Sequence, residues 1–216
     1  TGPARPTGLA TWQGVHPVKV PVGRPGESRY ILGEAGWCGL MPAGDGWLQW
    51  WFDLPAADAD AGPASQRVAF LEQRFAGWAA PVPEVIAQVR AAEIEPWPYT
   101  WHPVPRHLFL DRAVLIGDAA HTMPPSLAQG SSQTLDDAWV LVDALTRQPS
   151  IDAALRDYNA RRRSRAAIVS RVARSRLALR GAPRWIAPVT SRVPSRLSTA
   201  AFVAMLNAVS DALPLS

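Results

Sequence analysis

From Gly117 to Ser132 the chain reads GDAAHTMPPSLAQGSS: a turn glycine with an aspartate, a Pro-containing loop, and a Gly-Ser-Ser triplet that opens a helix. The first turn of a helix leaves backbone N–H groups without partners and carries the positive end of the macrodipole. A helix start presented by a loop is therefore a place to hold negative charge. Asp118 read alone is an ordinary turn residue after a strand. His121 in the same loop has the chemistry of a general base, but we read it as a loop-packing residue, and no residue is assigned as catalytic. His102, His107 and His121 lack a zinc spacing and no cysteine assists them, so no metal site is expected.

Three elements must position these residues. Ala113–Ile116 is a continuous apolar run, the pattern of a strand covered on both faces in a parallel sheet. Gly117-Asp118 turns out of it, and a helix begins near Gly130–Ser132. Its apolar positions Leu135, Ala138, Trp139, Val142 and Leu145 fall on one helical stripe. Ser131 and Ser132 have the chemistry of N-caps, and Asp136 and Asp137 put negative charge early in the helix, where the macrodipole favours it.

The rest of the chain frames this unit. Leu9–Val15, Val18–Val22, Arg29–Leu32, Trp37–Met41 and Trp47–Leu54 read as short strands. Gly33, Gly36 and an Asp45-Gly46 hairpin signal punctuate them, while Pro17 and Pro21 confine the second to an edge or a break. With no helix between them they favour an antiparallel sheet. Pro55 to Ala64 is a linker. Ser65 is placed to cap a helix running to Trp78, Pro83 starts a shorter one, and Trp97–His102 is extended. Ser150 caps a long helix ended by Gly181 and Pro183, and Thr199–Ala212 forms a last helix. The expected division is a sheet domain with helices over residues 1–104, a segment over 105–148, and C-terminal helices over 149–216.

A 216-residue chain with 48% hydrophobic and 19% charged residues is globular. The net charge of +4 and pI near 10.0 come almost wholly from arginine, Lys19 being the single lysine. Nine arginines between Arg156 and Arg180 invite a nucleic-acid reading. No aromatics interleave with them and the helix keeps an apolar face, so a solvated or acid-pairing face is expected, with no nucleic-acid partner. One cysteine, Cys38, excludes an internal disulfide and suits a reducing compartment, so the cytoplasm is expected. No apolar run approaches a membrane span.

Gly117-Asp118-Ala119-Ala120-His121, Pro124-Pro125, Gln129-Gly130 and Asp136-Asp137-Ala138 together resemble the second flavin fingerprint of the class A FAD-dependent aromatic hydroxylases, the salicylate-, p-hydroxybenzoate- and urate-hydroxylase-like enzymes. The resemblance implies a fold that joins an antiparallel substrate-domain sheet to the last strand and helices of a Rossmann-type FAD-binding domain. Gly117 and Asp118 would form the turn, with the Asp118 carboxylate accepting from a ribityl hydroxyl. Pro125 would lie against the isoalloxazine, after which Ala128 and Gln129 lead to the helix start. The N–H groups of Gly130, Ser131 and Ser132 would face the N1–C2=O edge, where reduced flavin carries its charge. The family's reaction uses NAD(P)H to reduce the flavin and O₂ to form a C4a-hydroperoxide. That species hydroxylates or epoxidises a small aromatic or activated substrate, the cofactor performing the difficult chemistry. Trp37, Gly39 and Met41 share one strand face and are the substrate-pocket candidates.

Two residues depart from the pattern: Ala128 stands where glycine is common, which restricts the loop backbone, and Ser132 stands where asparagine or cysteine is common. The family's opening GxGxxG unit, which binds the FAD pyrophosphate, is absent, as is the mid-sequence motif shared between flavin and NAD(P)H. The expected partner is thus a missing N-terminal FAD-binding portion, in cis or in trans. The rival functions are a flavin-dependent reductase or dehydrogenase of similar fold, and a non-catalytic binding or assembly module that has lost its cofactor site.

Overall fold

The structure, a computed structural model, describes residues 3–22, 26–59, 63–89, 94–175 and 192–211. It divides into two compact units, one of Gly8–Tyr99 and one of Thr1–Thr7 with Thr100–Ser216.

The first unit is built on a five-stranded sheet of order β2-β3-β4-β1-β5. Its strands are β1 (Arg5–Pro17), β2 (Arg29–Gly33), β3 (Gly36–Pro42), β4 (Trp47–Pro55) and β5 (Glu95–Trp101). β1 and β5 each run across the division between the units. β2 pairs with β3, β3 with β4, and β4 with β1, all antiparallel. Period-two alternation sorts the side chains. Ala10, Trp12, Cys38, Leu40, Leu48, Trp50, Phe52 and Leu54 share the inner face. Against them pack Leu71 and Phe75, from α2 (Arg67–Arg74) and its end, and Val82, Val85 and Ile86 of α3 (Val82–Ile86). Both buried indoles find acceptors, as such groups must: Trp12 Nε1 donates to the Ala59 carbonyl at 3.2 Å and Trp50 Nε1 to His16 Nδ1 at 2.9 Å.

Three local expectations fail here. Residues 18–22 form no strand. Proline removes a ladder donor at both ends of that segment, and Val18 and Val22 are buried as loop residues instead. The linker contains a short helix, α1 (Ala56–Ala59). Ser65 does not cap α2: it lies inside a 3-10 turn, Ala64–Gln66, and Gln66 is the N-cap without a side-chain bond.

The second unit holds β6 (Phe109–Leu110), β7 (Ala113–Val114), α4 (Asp118–His121), α5 (Gly130–Arg147), α6 (Ile151–Ala173) and α7 (Ser195–Asp211). The expected buried parallel strand is the short β7, which pairs antiparallel with β6, Phe109 opposite Val114. Ile116 is exposed. An apolar run states that a strand wants cover without stating what supplies it. Leu108, Ala120, Val140, Ala144, Ala154 and Tyr158 form this unit's apolar core. Ser150 caps α6 as expected, accepting from the Ala153 N–H at 3.2 Å. Gly181, Pro183 and Ala212 lie outside the described residues. Among the described residues no helix is long and apolar enough to cross a membrane.

The apolar stripe of α5 is not the face that this unit buries. Leu135, Trp139, Val142 and Leu145 are 73%, 67%, 60% and 48% exposed. The buried positions are Gln133, Asp137, Val140 and Ala144. Periodicity finds a stripe; the neighbours decide which stripe is covered.

Candidate functional site

Gly117 adopts φ +55°, ψ −139°, a conformation open to glycine at little cost. A Cβ there would also meet Thr134 Oγ1 at 3.0 Å. The turn is therefore pressed against the second turn of α5, and a side chain there would force Thr134 to give way. Its N–H donates to Asp137 Oδ2 at 2.8 Å, which anchors the turn to α5. Asp118 opens α4 with its side chain exposed, and its carboxylate has no hydrogen-bond or ionic partner among the described residues.

The loop continues through Pro125, exposed, at the head of a 3-10 turn, Pro125–Leu127. Ala128 ends that turn at φ +52°, ψ +28°. This is the left-handed region in which glycine is at ease and alanine is strained. The departure from glycine therefore costs local backbone energy. Gln129 is the N-cap of α5, and its carbonyl accepts from the Gln133 N–H at 2.9 Å. Neither Ser131 nor Ser132 caps. Both lie, with Gly130, in the first turn and are exposed, no side chain caps the helix, and no acidic residue occupies that turn. A Cβ on Gly130 would meet nothing within 4 Å. Gly130 thus borders open space at a helix end that no side chain caps, and an exposed carboxylate stands in the earlier Gly117-Asp118 turn. That donor set fits a ligand with hydroxyl groups and a polar, electron-rich ring edge.

What holds the loop in place is a buried polar cluster that sequence reading assigned otherwise. Asp137, expected to act through the helix dipole, is fully buried. Oδ2 accepts from the Gly117 N–H and pairs with His121 Nε2 at 2.7 Å, while Oδ1 accepts from Arg162 Nε at 2.6 Å. Arg162, also fully buried, donates through Nη2 to the carbonyl and the side-chain oxygen of Gln133, both at 2.9 Å. Burial alone would raise the Asp137 pKa. The hydrogen bonds from His121, Arg162 and Gly117 outweigh it and hold the carboxyl below the ordinary carboxylate value. His121 is therefore a packing and anchoring residue, as read. No local pattern in the sequence marks this cluster, and a charge-run reading of the arginines hides it.

In the sheet unit, the register puts Trp37 opposite Asp53, Gly39 opposite Trp51, and Met41 opposite Gln49. Trp37, Gly39 and Met41 thus lie on the outer face, away from the apolar core. Tyr30 sits opposite Gly39 on β2 and stacks edge-on to Trp37 at 5.7 Å between centroids. Gly39 is roofed by the Trp51 indole, since a Cβ there would fall 1.9 Å from the ring. The same face holds Asp53, buried, which accepts from Tyr99 Oη at 2.6 Å and Tyr30 Oη at 3.2 Å. Desolvation raises the Asp53 pKa against the lowering effect of those bonds. Among the described residues no group of three His, Cys, Asp or Glu side chains is close enough to hold a metal ion.

Residues 13–173 match the family model described as FAD binding domain. The chain is 35% identical over 162 residues to an aurachin C monooxygenase/isomerase of Stigmatella aurantiaca, covering 75% of this chain and 42% of that protein. It is 30% identical over 166 residues to an FAD-dependent urate hydroxylase of Klebsiella oxytoca, covering 73% and 41%. Among solved structures, Klebsiella pneumoniae HpxO complexed with FAD and uric acid superposes with a TM-score of 0.83 at 26% identity, over 100% of this chain and 56% of that one. The chain thus spans about two fifths of the length of these curated relatives, and its mixed helix and antiparallel-sheet architecture is the HpxO fold.

Proposed function

Because the chain belongs to the FAD binding domain family, we propose that it is the flavin-ring and substrate-sheet portion of an FAD-dependent, NAD(P)H-using monooxygenase acting on a small aromatic or similarly activated substrate. The observation that carries this reading is the Asp137 anchor, which ties the Gly117 turn, and with it the exposed Asp118, to α5, a helix whose first turn no side chain caps. Asp118 accepts from the ribityl chain. Pro125 packs against the ring, Ala128 and Gln129 shape the approach, and the N–H groups of Gly130, Ser131 and Ser132 donate to the pyrimidine edge. Bound FAD supplies the electron storage and oxygen activation. The protein's share is to place positive dipole where the reduced ring gathers charge and to exclude water.

The substrate wall is the outer sheet face of Trp37, Gly39 and Met41, with Tyr30 and Trp51 beside them. Relatives named for urate, aurachin C and aminohydroxybenzoate support a planar substrate for such an aromatic surface. The reduced nicotinamide donor makes the cytoplasm the proposed compartment. A pyrophosphate-binding portion, in cis or in trans, completes the cofactor site and covers the exposed Leu135, Trp139, Val142 and Leu145 stripe of α5. The absence of a GxGxxG unit in this sequence and the greater length of the relatives support that reading.

The test is FAD affinity. In the whole protein, Asp118→Ala loses one charge-assisted hydrogen bond and weakens FAD binding by about 10- to 100-fold. Unchanged affinity overturns the assignment. The 216-residue chain alone binds FAD weakly or not at all; sub-micromolar binding overturns the need for a second portion. Label from ¹⁸O₂ in the product separates a monooxygenase from a reductase of the same fold.

A further inference from the structure

The arginines of α6 fall into two groups. Arg161, Arg162 and Arg165 are each paired with acids: Arg161 with Asp143 and Asp157, Arg162 with Asp137 and Asp136, and Arg165 with Asp136. Arg163, Arg171 and Arg174, on another face of the helix and its end, have no carboxylate partner among the described residues. They line one cavity of about 530 Å³ together with Arg5, Trp101 and His102. That volume lies inside the roughly 300–1,000 Å³ range of small-molecule sites.

The lining has a consistent chemistry. Four guanidinium groups converge and no acidic side chain joins them. The Arg174 guanidinium lies 3.9 Å from the Trp101 ring centroid and that of Arg5 lies at 5.2 Å, so cation–π contact holds both while leaving donors unused. Arg163 Nε is fixed by the Pro105 carbonyl at 3.2 Å, and its terminal nitrogens have no partner among the described residues. Arg174 Nε and His102 Nδ1 are buried atoms without a hydrogen-bond partner. Buried polar atoms are normally satisfied, and like charges gathered without counter-charge repel one another. A ligand that brings several acceptor oxygens and negative charge removes both costs.

We infer that this cavity is a phosphoanion site of nucleotide dimensions, in which the arginines grip phosphate oxygens and Trp101 offers an aromatic edge to what the phosphate carries. Arginine's planar fork suits phosphate, and guanidinium–phosphate hydrogen bonds are among the strong ones. The ligand is either a free phosphoanion or the diphosphate of a nucleotide. The inference does not rest on the flavin reading.

The experiment is calorimetric titration of the whole protein with inorganic pyrophosphate and with adenosine diphosphate ribose. Saturating FAD is present, so that any flavin pyrophosphate site is filled. Pyrophosphate binds, and Arg171→Gln and Arg174→Gln each weaken it by about tenfold or more. Arg171 is exposed, so its variant is free of packing effects. Arg156→Gln, exposed on the same helix outside the cavity, leaves binding unchanged. Adenosine diphosphate ribose binding tighter than pyrophosphate, and lost in the same variants, assigns the nucleotide as source. Equal binding assigns the free phosphoanion. Absence of binding at millimolar pyrophosphate, or affinity that neither variant changes, overturns the inference.

Discussion

The two units bury their middles by different means. In the sheet unit the inner face is mostly aliphatic and aromatic, with Trp12, Trp50, Phe52 and Phe75 at its centre and both buried indole N–H groups paired. In the helical unit the contact of α5 with α6 adds the buried Asp137, Arg162 and Gln133 to apolar Val140, Ala144, Ala154 and Tyr158, and Leu135, Trp139, Val142 and Leu145 of α5 are left outside. Apolar packing is tolerant of direction, since a ring can rotate and still be buried. A carboxylate with three donors is not. The unit that anchors the Gly117 turn is the one that uses the directional interaction, and the cost is two charges removed from water.

The contrast breaks most readily at Asp137. Asp137→Ala strands Arg162 in the interior and costs about 3–5 kcal/mol, read by urea denaturation at pH 7. Asp137→Leu combined with Arg162→Met recovers much of that loss while releasing the Gly117 turn, so FAD binding stays impaired although stability returns. A cost under about 1 kcal/mol for the single variant places it among the mild substitutions and makes the helical unit an apolar core like its neighbour. The sign with pH follows from the depressed carboxyl. Its contribution is complete above the unfolded carboxylate value of about 3.9 and disappears as pH falls through the lower folded value. Urea midpoints taken between pH 7 and pH 2 therefore fall more steeply for the parent than for Asp137→Asn.

Gly39→Ala sharpens the other side. Its methyl group collides with the Trp51 indole, and overpacking of that kind costs about 1–3 kcal/mol, visible as a lowered Tm. A neutral result shows that the outer face tolerates rearrangement and weakens its role as a shaped wall.

The smallest effect belongs to the α5 stripe. Trp139→Ser changes the unfolding free energy of this chain by no more than about 0.5 kcal/mol, as for exposed positions generally. In the presence of the proposed pyrophosphate-binding portion the same variant weakens assembly. A large loss in the chain alone shows that the stripe is already covered.

The strands were legible because glycine and the Asp45-Gly46 turn mark their ends and alternation marks their faces, so β2, β3 and β4 begin and end within a residue or two of their expected limits. The turn and helix start at Gly117 and Gly130 were legible because each needs particular residue types in a short span. Residues 18–22 misled because β-branched side chains signal burial, which they have, and not pairing, which the prolines prevent. The Asp137 cluster was not legible at all. It joins side chains 16 to 29 positions apart, and no local pattern states that an aspartate and an arginine will meet. The buried side of α5 was not legible for a related reason: the helix carries both an apolar stripe and a polar one, and the partner that selects between them lies on another element.

Cys38, the only cysteine, stands fully buried in the middle of β3, its thiol pKa raised by desolvation and by nearby Asp53. Thiolate reagents therefore find no target while the sheet is closed. The chain carries a built-in clock: the rate at which Cys38 becomes labelled counts openings of the sheet unit alone, with no engineered probe. Set beside amide exchange in α5 and α6, it tells whether the two kinds of interior come apart together or one at a time.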